Sequence, residues 1–537
     1  MDIKILLGAE AVAQGAIDAG ISGVYAYPGT PSTEITEYIQ NSSEAKKRGI
    51  HSKWSANEKT AYETALGMSY AGKRTLVCMK HVGLNVAADP FINSAVTGIH
   101  GGLVLAVADD PSMHSSQNEQ DSRFLGKFAM IPVLEPSDQQ ETYDMVREGF
   151  DISEKLRIPV MVRITTRLSH SRSGIHLREA RNQNELQLPP VPFQFMLLPF
   201  YARKNYNSLL KKQVEIQHLS DTSGHNVYID GADKSLGIIA CGIAYNYLME
   251  NYTANQCPYP VLKITHYPTP VEMTRKMEKE CDEILVLEEG YPLVEEQIKD
   301  FFGKGKKISG RLDGKLPRAG ELNPDHVAYA LALEVNPGPV IPGIVVNRPP
   351  AFCKGCGHQD VCLALNEVVA PYGSGRVFSD IGCYTLGAMP PYNSVDTCVD
   401  MGASITMAKG AADAGLWPAF AMIGDSTFTH SGITGLLDCV NENTNLVVII
   451  ADNEAIAMTG GQDSSALRKI EEICKGVGVH PDHVKTVVPL AKNHHEMVRI
   501  ISEEVAFKGV SVVITRRECI QKATRTKREK KVNQQNQ

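Results

Sequence analysis

The sequence predicts a multidomain α/β protein in which helices cover largely parallel sheets. Its 537 residues, 43% hydrophobic and 21% charged, are enough for several cores of ordinary domain size. Short apolar runs of strand length alternate with helical patterns along most of the chain. No window approaches the ~18 consecutive apolar residues of a membrane helix, so we expect no membrane span.

Charge and cysteine content narrow the function classes. The formal net charge of −7 and the pI near 6.2 argue against a chain-wide nucleic-acid surface. Asp2 stands where a signal peptide needs positive charge, so we expect a cytoplasmic protein. Twelve cysteines are too few for a disulfide scaffold and are expected to be buried thiols or metal ligands.

The strand patterns divide the chain into successive domains. We expect an α/β domain over 1–170, a long proline-containing connection over 171–225 that wraps another domain, and a second α/β domain over 226–340. The predicted strands are 23–27, 75–79, 103–108, 160–164, 236–241, 260–264 and 283–287.

A third domain is expected after a proline- and glycine-rich linker. The linker covers 336–350 and the domain 351–520. Residues 521–537 carry a run of Lys and Arg without apolar periodicity, which predicts a solvated, disordered tail. Docking to an acidic electron carrier is the alternative for this tail.

The most informative passage lies in the third domain and reads strand, turn, helix, strand. A strand over 420–423 leads into Gly424-Asp425-Ser426, and a second strand over 446–451 leads into Asp452-Asn453. Both strands of a right-handed crossover end at one sheet edge, so Asp425 and Asn453 can converge there. Their oxygens suit Mg²⁺, and the helix N-terminus after Gly424 suits phosphate. A plain turn with an N-cap is the structural alternative.

This pair of segments resembles the thiamine-diphosphate signature, Gly-Asp-Gly followed by Asn-Asn. Ser426 and Asp452 depart from that pattern, whereas the two side chains expected to bind the metal, Asp425 and Asn453, are retained. The resemblance implies the backbone oxygen of Ala455 as a third protein ligand.

Thiamine diphosphate also requires a carboxyl group beside its pyrimidine ring, and desolvation keeps such a group protonated. Glu58, in WSANEKTAYETALG at the start of a predicted helix, is the best candidate. Ser55 and Glu58 also fit a capping box, which needs no cofactor. The residues alone leave both readings open.

Several longer segments settle this choice by resemblance. They are AYPGTPSTEI at 26–35, MKHVGLNVAADPF at 79–91, SSQNEQDSR at 115–123, LEEGYPLVEEQIK at 287–299, GRLDGKLPRAGELNPD at 310–325 and SDIGCYTLGAMPP at 379–391. Together they closely resemble the alpha subunits of indolepyruvate:ferredoxin oxidoreductases, within the 2-oxoacid:ferredoxin oxidoreductase family.

The resemblance implies both domain folds and residue roles. Residues 1–170 would form a pyrimidine-binding domain, 226–340 a domain like the transketolase C-terminal domain, and 351–520 a diphosphate-binding domain. Glu58 would activate thiamine, and Thr30 of the Gly-Thr-Pro loop would lie against the 2-oxoacid. The further cofactor contacts implied are Asp380, Gly382, Gly402, Ser404, Gly424, Ser426 and, as above, Asp425 and Asn453.

Four cysteines of the third domain form a candidate metal set. From the residues alone, the Cys353-x-x-Cys356 pair could be part of a zinc site, a redox pair or buried thiols, and Cys383 and Cys519 could complete a set of four ligands. Related oxidoreductases hold a 4Fe-4S cluster with cysteines in similar motifs, which favours a cluster here. The other eight cysteines, including Cys362, Cys398 and Cys439, are expected in apolar cores.

The resemblance implies the oxidative decarboxylation of an aryl-2-oxoacid, such as indolepyruvate, with coenzyme A to the acyl-CoA and CO₂. Electrons would pass through the cluster to ferredoxin or another carrier, and a smaller beta subunit would complete a heterotetramer. The usual C-terminal ferredoxin-like domain is not expected in this sequence. A non-oxidative decarboxylase that releases aldehyde and a non-catalytic zinc-binding scaffold are the alternatives. His51, His81, His114 and Arg123 can face the pocket but are more often structural groups.

Overall fold

The computed structural model of the chain describes residues 3–535 except 192, 254–255, 300–304, 336–337, 339 and 347. It forms two compact units, Met1–Pro339 and Val340–Gln537. The predicted α/β class is confirmed, because the three large sheets are mainly parallel and are covered by helices. Among the helices described, none has both the length and the apolar character that a bilayer crossing needs. Residues 336, 337, 339 and 347 of the predicted linker lie outside the described residues.

The first unit contains two α/β sheets and one antiparallel pair. Its strands are β1 (Ile3–Leu7), β2 (Gly23–Ala26), β3 (His51–Trp54), β4 (Thr75–Lys80), β5 (Leu103–Asp109), β6 (Val133–Leu134), β7 (Val160–Thr165), β8 (Arg172–His176), β9 (Val227–Ile229), β10 (Leu236–Cys241), β11 (Val261–Ile264), β12 (His266–Tyr267), β13 (Glu283–Leu287) and β14 (Lys307–Ser309). The sheet orders are β12-β6-β7-β5-β4-β2-β3, β14-β13-β10-β11-β9 and β1-β8.

Fourteen helices accompany these strands within the described part of the unit. They are α1 (Gly8–Asp18), α2 (Thr33–Asn41), α3 (Ser43–Lys47), α4 (Glu58–Tyr70), α5 (His81–Val86), α6 (Ala88–Thr97), α7 (Ser122–Ala129), α8 (Gln139–Leu156), α9 (Thr166–His170), α10 (Pro199–Asp221), α11 (Ala244–Met249), α12 (Val271–Glu280), α13 (Leu293–Ile298) and α14 (Pro324–Ala330). The central strands β4, β5 and β7 are buried at every position, as expected for parallel strands covered on both faces.

A short strand from the predicted middle domain completes the seven-stranded sheet. Strand β12 pairs antiparallel with β6, with His266 opposite Leu134 and Tyr267 opposite Val133. Because these backbone bonds join the stretches predicted as separate domains, 1–170 and 226–340 lie in one compact unit. A two-residue strand has too little periodicity to be recognised in the sequence.

The predicted connection over 171–225 is partly regular and runs along the domain that precedes it. It begins with β8 and ends with α10. Between them, Arg181 N donates to Asp18 O at 2.8 Å and Gln187 N donates to Ala71 O at 3.0 Å. The extended stretch is therefore held to the first domain by backbone hydrogen bonds.

Eight charged side chains form a buried ion cluster in the first unit. Arg163 Nε lies 2.6 Å from Asp109 Oδ2, where β7 and β5 lie side by side. Arg123 Nη1 lies 3.1 Å from Glu288 Oε2, which directly follows β13 of the other α/β sheet. The cluster consists of Asp109, Asp121, Arg123, Glu135, Arg163, Glu288, Glu289 and Arg311, all of them buried.

Five carboxyl groups share three guanidinium groups in this cluster, so not all carboxyls are ionised in the neutral range. Burial raises the pKa of Glu288 to about 7, and the Arg123 charge offsets part of the rise. The pKa of Glu289 is raised to about 7 in the same way, with Arg311 as the opposing charge. The Leu-Glu-Glu-Gly and Gly-Arg-Leu-Asp motifs thus have a structural role, joining the two sheets.

The second unit is built around one fully parallel sheet. Its strands are β15 (Val377–Ser379), β16 (Phe420–Gly424), β17 (Leu446–Asp452), β18 (Ala455–Ile456), β19 (Gln462–Asp463), β20 (Val484–Val487) and β21 (Val510–Arg516), with the sheet orders β15-β16-β17-β21-β20 and β18-β19. Its helices are α15 (Gly357–Val369), α16 (Ala403–Asp413), α17 (Asp425–Thr427), α18 (Ile433–Asn441), α19 (Ile470–Gly476), α20 (His494–Ala506) and α21 (Ile520–Gln535). Successive residues of β16 enter different apolar clusters, Phe420 and Met422 in one and Ala421 and Ile423 in the other.

Helix α21 occupies most of the segment predicted as a disordered tail over 521–537, so that prediction is wrong up to Gln535; residues 536–537 lie outside the described residues. Lys522 Nζ donates to Glu454 O at 2.8 Å and to Asp463 Oδ1 at 2.6 Å. Arg525 Nη1 donates to Gly460 O at 2.7 Å. The helix lacks apolar periodicity, and these polar contacts hold its first turns.

We expect His266 of β12 to weaken the fold in acid. Its ring is 1% exposed, and neither ring nitrogen has a hydrogen-bond partner among the described residues. Burial lowers the pKa of His266 to about 4, so the ring takes up a proton at a lower pH in the folded state than in the unfolded chain. The contribution of neutral His266 to the free energy of unfolding is fully present above about pH 6.5. Between about pH 6.5 and pH 4 this contribution falls by up to about 1.4 kcal/mol per pH unit.

Thermal unfolding at pH 7 and pH 5 tests this expectation. The His266→Leu variant should lose less stability on acidification than the wild type, because it removes the buried titrating group. His176→Leu, at an exposed position on β8, is the matched control and should behave as the wild type does. Equal acid sensitivity of His266→Leu and wild type would contradict the assignment.

Candidate active site

The second unit brings Asp425 and the Asp452-Asn453 pair to one sheet edge. Strands β16 and β17 are parallel neighbours, and Gly424 stands opposite Ala451. Asp425 therefore follows β16 at the edge where Asp452 ends β17 and Asn453 follows it. The chain turns into α17 at Asp425 and continues through a π-helical turn into α18.

Asp425 is a buried acid without a full set of partners. It is 2% exposed, and its Oδ2 makes no hydrogen bond of ordinary geometry among the described residues. Burial raises the pKa of Asp425 to about 7, and the neighbouring Asp452 carboxylate adds to the rise. Asp452 itself accepts from Arg516 Nε at 2.5 Å. A cation beside Asp425 would satisfy its unpaired oxygen and remove the repulsion between the two acids.

The other predicted metal ligands are held by local turns. Asn453 Oδ1 accepts from Ala455 N at 3.0 Å, which fixes the side chain over the turn that follows β17. Ala455 begins β18 and stands opposite Asp463 of β19. Within the described residues, no group of three or more His, Cys, Asp or Glu side chains is arranged around one metal position. The metal set of Asp425, Asn453 and the Ala455 carbonyl stays a prediction.

The predicted cofactor contacts around Asp380 form a closed network. Asp380 Oδ2 accepts from Ser404 Oγ at 2.5 Å, from Gly402 N at 3.2 Å and from Ser404 N at 3.3 Å, and so caps α16. Burial raises the pKa of Asp380 to about 6. A Cβ atom at Gly382 or Gly424 would lie 2.2 or 2.7 Å from the ring of Tyr384. These residues thus shape the loop before α17, and direct contact with a cofactor remains a prediction; Ser426, beside them, is half-buried.

The four candidate cysteines line one cavity of about 130 Å³ in the second unit. Burial raises the pKa of Cys383 to about 12, and the nearby thiols of Cys356, Cys519 and Cys353 add to the rise. Cys353 is exposed and the other three are half-buried. Burial also raises the pKa of Cys356, so the neutral thiol is favoured at Cys356 and Cys383 when no metal is bound. Their role as ligands stays a prediction.

The cysteine cavity borders the turn that carries Asp452 and Asn453. Both residues line the cavity. Cys519 N donates to Asn453 O at 3.0 Å, and Arg517 N donates to Asp452 O at 2.9 Å. The predicted core position of Cys398 is wrong, because that cysteine is exposed and lies outside the lining of this cavity, whereas Cys362 and Cys439 are buried.

In the first unit, Glu58 is the first residue of α4. The alternative interpretation of Ser55 and Glu58 as a capping box is wrong, because Asn57 is the N-cap and its side chain accepts from Thr60 N at 2.8 Å. Glu58 is 5% exposed. A Cβ atom on Gly83 would lie 2.6 Å from Glu58 Oε1, so only glycine leaves room for the carboxyl group there. Glu58 is thus held in a buried position at the start of α4.

Thr30 lies in the loop after β2, next to a buried lysine that the sequence analysis did not single out. Thr30 O accepts from Ser115 Oγ at 3.2 Å. Lys80 Nζ donates to Ser115 O at 2.9 Å, and Lys80 is 8% exposed. The sequence feature that could have identified Lys80 is its position at the carboxyl end of the apolar strand TLVCMK, because functional groups of parallel sheets lie at that end.

The four single residues considered as pocket groups have different positions. Arg123 belongs to the buried ion cluster. His81 is buried, and its Nε2 lies 3.3 Å from Asn118 O. His51 and His114 are exposed.

Two segments of this chain match known protein families. Residues 14–201 match the family described as "Pyruvate flavodoxin/ferredoxin oxidoreductase, thiamine diP-bdg". Residues 380–514 match the family described as "Thiamine pyrophosphate enzyme, C-terminal TPP binding domain". The fold and the two matches define a thiamine-diphosphate-dependent enzyme.

Three relatives narrow the class to a family. The chain is 39% identical to indolepyruvate oxidoreductase subunit IorA of Archaeoglobus fulgidus, over 96% of this chain and 86% of that protein. It is 36% identical to the IorA subunit of Methanothermobacter thermautotrophicus (97% and 87% covered) and 37% identical to that of Thermococcus kodakarensis (96% and 85% covered). The chain therefore belongs to the indolepyruvate oxidoreductase IorA family of 2-oxoacid oxidoreductases, and the resemblance found in the sequence is confirmed.

We expect Asp425→Asn to stabilise the ligand-free protein. At pH 8 the wild-type carboxylate is ionised, desolvated and next to Asp452, whereas an amide carries no charge. The free energy of unfolding should rise by about 1–2 kcal/mol. Thermal unfolding in excess EDTA measures the change, and Asp438→Asn, at an exposed position on α18, is the matched control. A lower unfolding temperature for Asp425→Asn than for wild type would contradict the assignment.

Proposed function

We propose that this chain catalyses the oxidative decarboxylation of an aryl-2-oxoacid, of which indolepyruvate is the first candidate. The reaction converts R-CO-COO⁻ and coenzyme A thiol into R-CO-S-CoA, CO₂, one proton and two electrons. The observation that carries the proposal is the buried carboxyl group of Glu58 at the start of α4, within a chain of the IorA family.

Glu58 is proposed as the proton-sharing group of the reaction. When bound, thiamine diphosphate supplies the carbanion chemistry that separates the keto carbon from its carboxylate. Glu58 would share a proton with the pyrimidine ring of the bound cofactor, and the buried position of its carboxyl group next to Gly83 would limit the access of water there. Thr30 is proposed to lie against the 2-oxoacid.

The second unit is proposed to hold the diphosphate end through Mg²⁺. The buried Oδ2 of Asp425, which has no hydrogen-bond partner among the residues described, fits a hard divalent cation, and Asn453 adds an amide oxygen at the same sheet edge. The N-terminal turns from Gly424 through Ser426 offer backbone N–H groups to the anion. Asp380, Gly382, Gly402 and Ser404 are proposed to shape the adjoining loop.

The cysteine cavity is proposed to hold a 4Fe-4S cluster through Cys353, Cys356, Cys383 and Cys519. Four thiols around one cavity suit a cluster, which Cys thiolates hold in proteins. The direct hydrogen bond between Cys519 N and Asn453 O links the turn at Asp452-Asn453, where Mg²⁺ is proposed to bind, to the cysteine cavity. Electrons are proposed to leave through this site, one at a time, to ferredoxin or another small carrier.

A second, smaller subunit is part of the proposal. The relatives are named as subunits, which supports a hetero-oligomer, and a heterotetramer with a beta subunit is the assembly that we propose. The coenzyme A contacts are not assigned to residues of this chain.

We expect Glu58→Gln to lower turnover about 100- to 10,000-fold, because an amide cannot share a proton with the pyrimidine ring. The assay is anaerobic 2-oxoacid oxidation by the chain with its partner subunit, over indolepyruvate, phenylpyruvate and 4-hydroxyphenylpyruvate. Exchange of the thiamine C2 proton into deuterated water should fall in parallel. Glu63→Gln, at an exposed position on the same helix, is the control. Full turnover by Glu58→Gln would refute the role of Glu58.

We expect anaerobically purified protein to contain about four iron and four sulfide per chain. Cys356→Ala should lose most of this iron, whereas Cys398→Ala should keep it, because Cys398 is an exposed cysteine of the same unit that does not line the cavity. Iron and sulfide analysis of the three proteins measures their metal content, and identification of the reaction product accompanies it. Iron-free protein that releases aldehyde would favour a non-oxidative decarboxylase. Zinc in the cavity without thiamine diphosphate binding would favour a scaffold.

A further inference from the structure

Lys80 is a buried cation next to the residues proposed to handle the substrate. It ends β4 at the carboxyl edge of the seven-stranded sheet and is 8% exposed. Its aliphatic chain packs against the loop that carries Thr30, where a Cβ atom on Gly29 would lie 3.1 Å from Lys80 Cδ. The glycine therefore lets the loop close over the lysine side chain.

The ammonium group of Lys80 has few partners. Its Nζ donates to Ser115 O at 2.9 Å, and among the described residues no carboxylate lies within the 4.0 Å of an ion pair. The nearby Asp110 is already engaged, since its Oδ2 accepts from Ser115 N at 2.8 Å and from Ser116 Oγ at 2.6 Å. Its Oδ1 accepts from Thr166 Oγ1 at 2.7 Å.

Lys80 is a buried cation without a carboxylate at ion-pair distance among the described residues. Burial lowers the pKa of Lys80 to about 8, and the fields of Asp110 and Glu58 offset part of this change. A buried ammonium group is costly unless an anion or several hydrogen bonds compensate it. One backbone carbonyl does little to compensate it, so a bound anion would stabilise the charged form.

The residues around Lys80 indicate which anion would bind its ammonium group. Ser115 links Lys80 to the Thr30 loop, because it accepts from Lys80 through its carbonyl and donates to Thr30 O through its hydroxyl. Glu58 lies close enough to Lys80 to act on its charge, and a Cβ atom on Gly83, three residues after Lys80, would collide with the Glu58 carboxyl group. A 2-oxoacid carries one negative charge, on the carbon next to the keto group that reacts.

We propose that Lys80 binds the carboxylate of the 2-oxoacid and thereby selects oxoacids over neutral carbonyl compounds. This inference rests on the proposed function. The contact exists in the substrate complex and ends when the carboxylate leaves as neutral CO₂. It therefore contributes to substrate binding and not to the rate of the later steps, so its loss falls on KM.

Two variants with a matched control test the assignment in the enzyme assembled with its partner subunit. Lys80→Met keeps the aliphatic length without the charge, and Lys80→Arg keeps the charge. Lys53→Met removes an exposed lysine of strand β3, at the edge of the same sheet. We expect Lys80→Met to raise KM for phenylpyruvate about 100-fold, with kcat within about threefold of wild type. Lys80→Arg should recover most of the loss, and Lys53→Met should match wild type.

Two readouts do not depend on turnover. Calorimetric binding of 3-phenylpropanoate, which has the carboxylate but no keto group, should weaken in Lys80→Met to the level of neutral 3-phenylpropanamide. Exchange of the thiamine C2 proton should stay at the wild-type rate in Lys80→Met, whereas Glu58→Gln loses it. This pair separates binding of the carboxylate from activation of the cofactor.

The possible results decide between the two proposals. An unchanged KM with unchanged 3-phenylpropanoate binding in Lys80→Met would overturn the role of Lys80. Loss of C2 exchange in Lys80→Met would also overturn it, since the lysine would then act on the cofactor or the fold. The wild-type enzyme could instead bind 3-phenylpropanoate more tightly than 3-phenylpropanamide, in a manner that depends on Lys80, and yet oxidise none of the 2-oxoacids. That result would refute the proposed function and leave the carboxylate site in place.

Discussion

The buried ion cluster is the constraint on which the first unit depends. Its arginines Arg123 and Arg163 come from the seven-stranded sheet and its neighbouring helix, whereas Glu288 and Glu289 directly follow β13 of the other α/β sheet. Removing one partner of such a set leaves an uncompensated buried charge, which costs about 3–5 kcal/mol. The two sheets therefore have one relative position at which the charges are satisfied. The seven-stranded sheet of this pair also carries the Thr30 loop after β2, Glu58 after β3 and Lys80 at the end of β4.

The sequence was informative where periodicity and strand order decide the structure. The apolar runs of β5, β16 and β17 are buried at every position, and such runs are recognisable without a structure. The placement of Asp425 and Asn453 at one edge follows from the right-handed connection between adjacent parallel strands, and the pairing of Gly424 with Ala451 confirms it.

Other features depend on tertiary contacts that no local pattern contains. Asn57, not Ser55, caps α4, because the chain between β3 and the helix places the asparagine side chain over Thr60 N. Strand β12 is too short to show a period, yet it joins two stretches that read as separate domains. Lys80 was overlooked because a single lysine at a strand end is usually solvated. Only its burial, and the single carbonyl that its ammonium group contacts in the described part of the chain, mark it as unusual.

The basic helix α21 connects the far end of the chain to the coenzyme-binding region of the second unit. Lys522 bridges the Glu454 carbonyl and Asp463 on both sides of the β-hairpin formed by β18 and β19, and Arg525 reaches Gly460 at its tip. The hairpin begins two residues after Asn453. Proteolysis or a fusion partner placed just before Ile520 would remove these contacts, so a preparation cleaved there would hold the hairpin and the turn at Asp452-Asn453 less firmly although the residues of that turn are still present.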